Sequence, residues 1–203
     1  SGIENMSQMF NWSYISYIDF SNKDLHSVKT MSTAFTSMPF LTWVNFHGTN
    51  LSSLLDASNM FGWDYNLKRA DFSNVDMRSV TSTASMFWWS WLTWANFHEA
   101  NLSSLLNVSS MFGWVGSLKR ADFSKADMRS LQSTEGMFSW SWITRVNFSK
   151  ADVRSLQSTV NMFWWSSLKE ANFEGTEMIN LYNISWMFWW CSSLEEVNFS
   201  WVD

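Results

Sequence analysis

The sequence predicts a repeat solenoid in which a parallel β-ribbon runs through eight turns of 25–26 residues. A Phe, mostly preceded by Met, recurs at that interval, and a second Phe, preceded by Asp or Asn, follows it after 10 or 11 residues. The apolar positions fit neither a sustained helical period nor a strict alternation, which excludes a long helix and a simple hairpin. A fixed period of this length is typical of a solenoid. The first Phe of each unit is Phe10, Phe35, Phe61, Phe87, Phe112, Phe138, Phe163 or Phe188.

The strand of each unit is predicted next to the second Phe, which we take as position zero. Positions −2 to zero, such as Ala70, Asp71 and Phe72, predict a short strand with apolar residues inward and the Asp outward. Eight such strands stacked in parallel would bury each apolar face only against the neighbouring turns. The Ser/Thr-rich segment before the first Phe, as in 79–85, is either a turn or a single short helical turn. Residues 41–87 and 92–138 match at an offset of 51, which indicates that two units were either duplicated together or designed together.

Composition narrows the class of protein. The chain has 203 residues, of which 46% are hydrophobic and 15% charged, enough to bury a sizeable core. The net charge of −5, without a Lys/Arg cluster, argues against nucleic acid as a partner. A single cysteine, Cys191, excludes an intramolecular disulfide and a Cys-based zinc site. No apolar stretch approaches the ~20 residues that span a bilayer, and Ser1-Gly2-Ile3-Glu4 lacks the features of a signal peptide. We expect no cofactor, no metal and no membrane span.

The eighth unit resembles a known repeat family. The run 187–194, Met-Phe-Trp-Trp-Cys-Ser-Ser-Leu, followed by Val197-Asn198-Phe199-Ser200, resembles the bacterial surface-protein repeat of about 25 residues found in mycoplasma lipoproteins. That repeat has the pattern Met-Phe-x-x-Cys-x-x-Leu and is similar to BspA-like leucine-rich repeats. The resemblance covers all eight units, although the family Cys occurs only at Cys191 and the family Leu at position −2 is often Ala. It implies a right-handed, leucine-rich-repeat-like solenoid that is extracellular or on the cell surface and binds a protein or glycan without catalysis.

Tryptophan marks the first candidate surface. Seven of the eight units carry Trp two residues after the first Phe, and Ser37 is the exception. Rings stacked at the spacing of adjacent strands gain roughly 0.5–1.5 kcal/mol per pair. This Trp corner is either internal corner packing or an exposed platform for sugars, planar ligands or a protein. Further Trp residues beside it cannot all point inward. The candidate residues are Trp63, Trp88, Trp89, Trp91, Trp114, Trp140, Trp142, Trp164, Trp165, Trp189 and Trp190.

Position −3 marks the second candidate surface, since it should point outward from the ribbon. Alternating Trp and Arg on adjacent turns predicts guanidinium groups stacked on indoles, and Arg145 beside Glu170 predicts an ion pair. This strand face is either a self-satisfied surface ladder or a binding face. Asp or Asn at position −1 is expected to serve turns and side-chain ladders. The candidate residues of the strand face are Tyr17, Trp43, Arg69, Trp94, Arg120 and Arg145.

The predicted organisation is one solenoid domain, residues 1–203, with eight repeats and no clear capping units. The chain begins at position +6 of a unit and stops at position +4 with Asp203, which indicates either a segment of a longer array or units that stack end to end. No catalytic motif is present, so we expect no enzyme. The sequence therefore predicts a non-enzymatic interaction scaffold of the cell-surface adhesion type. A self-assembling filament and a Trp-lined binder of carbohydrates or planar ligands are the alternatives.

Overall fold

The computed structural model describes residues 2–200 and has eight parallel strands in one sheet. The strands are ordered along the sheet as in the sequence, and seven turns of chain separate the first from the last. The predicted repeat solenoid is thereby confirmed. The strands are β1 (Tyr17–Asp19), β2 (Trp43–Asn45), β3 (Arg69–Asp71), β4 (Trp94–Asn96), β5 (Arg120–Asp122), β6 (Arg145–Asn147), β7 (Glu170–Asn172) and β8 (Glu196–Asn198).

Each strand begins one residue earlier than the sequence pattern predicted. It covers positions −3 to −1, so the predicted triplet Ala70, Asp71 and Phe72 is shifted relative to the observed β3. The middle residue points inward, as Ala70 does, and the flanking residues point outward. Phe72 lies just beyond the strand, where its side chain is buried and its N–H still donates to the carbonyl oxygen of Asn96 at 2.7 Å. The hydrogen-bond ladder therefore continues past the strand while the backbone turns toward the core.

The connections between strands are turns and bends, and the described residues contain no helix. This settles the open choice for the segment before the first Phe, such as 79–85, in favour of a turn. Backbone groups here also pair with the adjacent turn: the N–H of Phe87 donates to the carbonyl oxygen of Met111 at 2.9 Å. Isolated bridges such as Asp76 with Asn101 link neighbouring turns in parallel. Every turn is thus bonded to the turns beside it on more than one side of the solenoid.

Two columns of Phe rings run through the core, which also contains buried Leu, Met, Val and Ala side chains. Along the first column, Phe112 stacks on Phe87 and Phe138 with ring centroids 5.2 and 5.0 Å apart. Between the columns the rings meet edge to face, as Phe112 does with Phe123 at 6.2 Å. Both arrangements are favourable for aromatic quadrupoles. Because the backbone repeats from turn to turn, equivalent rings have equivalent orientations, and each Phe column is a continuous aromatic stack within the core.

The predicted domain can be compared with the structure only within residues 2–200. Ser1 and Asp203, where the first and last units were predicted to begin and end, lie outside the described residues. Within the described part, all eight strands belong to one sheet and share one core cluster. Phe10 and Phe188, the outermost members of the first Phe column, are half-buried, whereas Phe87 and Phe112 are fully buried.

Candidate interaction surfaces

The Trp corner lies on the surface. Its backbone adopts the left-handed conformation in every unit; Trp140, for example, has a φ of 58°. A bulky residue in this region is unusual, because its Cβ crowds the backbone. None of the described tryptophans is buried, and Trp165 is 44% exposed. Of the two arrangements that the sequence left open, the structure therefore has an exposed Trp corner and not internal corner packing.

The additional tryptophans follow the expectation that some of them face solvent. Trp91 and Trp142 are 51% and 59% exposed, and Trp189 is exposed as well. Trp88 and Trp164 are half-buried and stand edge-on to the corner rings. The second set thus widens the exposed aromatic surface beyond the corner itself.

The C-terminal half of the corner is a regular stack. The centroids of Trp114, Trp140, Trp165 and Trp190 are separated by 4.8 Å at each step, and the planes differ by 5–14°. In such a stack the ring faces cover one another, so solvent meets mainly the ring edges. The edge is the positive part of the aromatic quadrupole. This part of the corner therefore offers edges, and a ligand that needs an open ring face must bind elsewhere.

The N-terminal half of the corner is interrupted at Ser37. The residue before it in the column is Trp12 and the residue after it is Trp63, so one ring of the column is missing. The vacant position opens into a recess of about 370 Å³ lined by Trp12, Ser37, Pro39, Trp63 and Tyr65. Unlike the regular stack, the described rings of Trp12 and Trp63 have no ring stacked between them, and within the recess Trp63 meets only Tyr65, edge to face at 6.4 Å.

The strand face carries the predicted stacking of Arg on Trp. The guanidinium carbon of Arg69 lies 5.7 Å from the ring centroid of Trp43 and 5.0 Å from that of Trp94, one on each side. Tyr17 continues the series, with its ring centroid 4.7 Å from that of Trp43. A cation held between two indoles is stabilised by both ring faces. This segment of the strand face satisfies itself, as one of the two interpretations predicted.

The predicted ion pair on the strand face is also present. Nε of Arg145 donates to Oε2 of Glu170 at 2.8 Å. This hydrogen bond raises the pKa of Arg145 and lowers the pKa of Glu170, each toward the charged form. Both side chains are about half exposed, so the pair contributes little to stability. Its consequence is local, because Glu170 neutralises one of two adjacent arginines on the ribbon.

Arg120, between Trp94 and Arg145 on the ribbon, has no such partner. Among the six arginines of the chain, all within residues 2–200, it alone has neither an ion pair nor an aromatic ring stacked against its guanidinium. It lines an open recess of about 430 Å³ together with Trp94 and Arg145, and the carboxyl groups of Asp122, Glu170 and Glu196 line the same recess. The strand face therefore has stacked side chains at β2–β4, an ion pair between β6 and β7, and the unpaired Arg120 at β5.

The Asp and Asn residues serve the turns, as predicted. At position −1, Oδ1 of Asp71 accepts the backbone N–H of Ser73 at 3.0 Å and also Nδ2 of Asn96 in the next turn at 3.3 Å. At position +4, Asp127 binds Arg129 through Nη2 at 2.6 Å. Among the described residues no three His, Cys, Asp or Glu side chains converge as metal ligands would.

A buried carboxyl group beneath the Trp corner was not found by sequence reasoning. Asp64 has no exposed surface, its Oδ1 accepts the N–H of Met38 at 2.7 Å, and its Oδ2 has no partner. Burial raises the pKa of Asp64 from its ordinary value of 3.8 to about 8. The signal was present in the sequence, because Asp64 stands three residues after the first Phe, where Cys191 stands in the eighth unit and the resembling family has Cys.

The fold places the protein in the class of β-solenoid repeat proteins. Comparison with models of protein families, with curated protein sequences and with solved structures finds no match to the chain. In residues 2–200 there is no helix of the length and apolarity required to cross a bilayer.

Proposed function

We propose that this protein is a non-enzymatic interaction scaffold, a protein-binding repeat module of the cell-surface adhesion type. The observation that carries the proposal is the exposed aromatic surface: ten tryptophans within residues 2–200 are exposed. An aromatic patch of this extent on a solvent-exposed face marks an interaction surface. The contact surface we assign is the Trp corner together with Trp91 and Trp142.

The physical chemistry of the Trp corner suits a macromolecular partner. Trp side chains bring a large contact area with few rotatable bonds, which is why they are enriched at binding hot spots. Stacking at 4.8 Å holds Trp140 between Trp114 and Trp165 before any partner arrives. A partner therefore meets a preorganised surface and loses less conformational entropy on binding. Localisation at the cell surface and a role in adhesion rest on the family resemblance.

A triple substitution of the regular stack tests this proposal. We expect Trp114→Asn, Trp140→Asn and Trp165→Asn together to keep the fold, since Asn161 already adopts a φ of 55° in this chain. The assay measures saturable binding of the protein to immobilised fibronectin, collagen and mucin and to cultured epithelial cells. The triple variant should weaken binding by about ten-fold or more, because hot-spot aromatic residues dominate such interfaces. Far-UV circular dichroism verifies the fold.

The matched control is a triple change away from the Trp corner. Arg78→Gln, Arg129→Gln and Arg154→Gln remove three exposed ion pairs that each arginine forms with the Asp two residues before it. This variant should bind as the unchanged protein does. The proposed function is wrong if none of the tested surfaces binds the protein saturably, or if the Trp variant and the Arg variant bind equally well.

A further inference from the structure

The gap at Ser37 has the geometry of a site for one aromatic ring. In the regular stack, Trp140 occupies the position between Trp114 and Trp165, with its ring centroid 4.8 Å from each neighbour. Ser37 occupies the same position between Trp12 and Trp63 and has the same backbone, with a φ of 57° compared with 58° at Trp140. Trp12 and Trp63 are two turns apart, and two strand spacings are about 10 Å. One ring therefore fits between them at the centroid spacing seen elsewhere in the column.

The rings on either side of the gap are available. Trp63 packs on its far side against Trp88 and Trp89, with ring centroids 5.0 Å away in both cases. Tyr65 meets Trp63 edge to face at 6.4 Å and forms a wall of the recess. Trp12 is 74% exposed and has no ring contact toward Ser37 among the described residues. One side of the site is therefore held by its neighbours, and the other side can adjust to a guest.

The chemistry of the lining selects an uncharged ring. The recess is lined by Trp12, Ser37, Pro39, Trp63 and Tyr65, none of which is charged. An anionic guest would lose hydration without gaining an ionic partner, which is unfavourable. A guanidinium would stack on the indoles as Arg69 does on Trp43 and Trp94, but the lining has no carboxylate to accept its N–H groups. An aromatic ring gains stacking on its two faces, and Ser37 contributes one hydroxyl group to the lining.

We propose that the recess at Ser37, between Trp12 and Trp63, binds an aromatic side chain of a protein partner, which completes the interrupted ring stack. The proposal rests on the proposed protein-binding function and names its anchor. A single aromatic side chain inserted into a preformed pocket is the usual form of a binding hot spot. The rest of the Trp corner then surrounds the anchor with apolar surface that excludes water.

Filling the gap with a ring of the chain itself tests the proposal. Ser37→Trp places the missing indole in the stack, and the fold should tolerate it because Trp140 has the same φ. The probe is a fluorinated N-acetyltryptophanamide followed by fluorine NMR, with N-acetylleucinamide and adenosine as comparison ligands. The unchanged protein should bind the indole probe saturably at one site. Ser37→Trp and Trp63→Ala should each weaken that binding by about ten-fold or more, since each removes stacking surface.

A second experiment asks whether a new gap in the stack creates a second binding site for the probe. Trp140→Ser recreates the gap between Trp114 and Trp165 and should raise the stoichiometry of the probe from one site to two. Retained binding by Ser37→Trp, an unchanged stoichiometry in Trp140→Ser, or the absence of saturable binding to the unchanged protein would overturn the proposal. Equal or tighter binding of adenosine or of the leucine compound would also overturn the assignment to an aromatic side chain.

The two proposals fail in distinguishable ways. Binding of the probe to the Ser37 recess without binding of the protein to any tested surface rejects the adhesion function and retains the aromatic site. Surface binding that depends on Trp114, Trp140 and Trp165 but not on Ser37→Trp does the reverse.

Discussion

At pH 8 the variant Asp64→Asn is expected to have a higher free energy of unfolding than the unchanged protein. At pH 4 the two free energies of unfolding should be nearly the same. Burial raises the pKa of Asp64 to about 8, whereas the unfolded chain has the ordinary value of 3.8. Between these values the folded protein holds a proton that the unfolded chain has released. The stability of the unchanged protein is therefore fully present below pH 3.8 and falls as the pH rises toward about 8.

The size of the effect follows from the shift. Each pKa unit is worth about 1.4 kcal/mol, so the loss by pH 8 is on the order of 5 kcal/mol. Asn has the shape of the protonated carboxyl, and its Oδ1 can keep the hydrogen bond from the N–H of Met38. It carries no titratable proton, so the decline with pH should disappear. Urea unfolding followed by circular dichroism at pH 4, 6 and 8 measures the three free energies.

The matched control for this prediction is Asp122→Asn on the strand face. The next turn already has Asn147 at the equivalent position, where its Oδ1 accepts the N–H of Ser149 as Asp122 does for Ser124. This change should leave the pH dependence of the unfolding free energy as it was. If the unchanged protein were equally stable at pH 4 and pH 8, the buried carboxyl group would not have the titration assigned to it.

Replacing Phe112 by Ala is expected to lower the free energy of unfolding by about 4 kcal/mol. Phe112 is fully buried, stacks on Phe87 and Phe138, and meets Phe97 and Phe123 edge to face. The substitution removes all four ring contacts and leaves a cavity. The surrounding backbone is hydrogen-bonded to the turns on both sides, so it cannot collapse into the space. Urea unfolding at constant pH provides the measurement.

The comparison variant is Phe188→Ala, at the C-terminal end of the same column. Phe188 is half-buried and, within residues 2–200, stacks only on Phe163, with ring centroids 5.6 Å apart. We expect a loss of about 2 kcal/mol or less, since less apolar surface is re-exposed. Equal losses for Phe112→Ala and Phe188→Ala would contradict the picture of a core in which each turn is stabilised by its two neighbours.

Much of the fold could be predicted from the sequence because the period repeats it eight times. The strand positions followed from the columns, with an error of one residue at Phe72, where the hydrogen bonding continues but the chain turns inward. The Arg69 stacking and the Arg145–Glu170 pair followed from adjacency in the ribbon, which the period determines. These features depend only on which residues are neighbours, and a constant repeat length specifies neighbours directly.

The exposure of the Trp corner could not be decided in this way. The direction of Trp140 depends on its positive φ, and a bulky aromatic residue gives no sequence signal for a left-handed backbone. The burial of Asp64 could not be predicted from the sequence either, because an isolated acidic residue in a turn is ordinarily exposed to solvent. The Ser37 exception was visible in the sequence, but its meaning depended on learning that the rings around it are exposed.

Because each turn is bonded only to the turns beside it, the length of the exposed surface depends on the number of repeats. Adding or deleting one whole unit would change the length of the Trp corner by about 4.8 Å and leave the remaining contacts in place. The length of the Trp corner is therefore determined by the number of repeats. Its chemistry is determined by single positions such as Ser37. Duplication of units, as in the match between 41–87 and 92–138, can thus tune how long a partner the protein spans without rebuilding the fold.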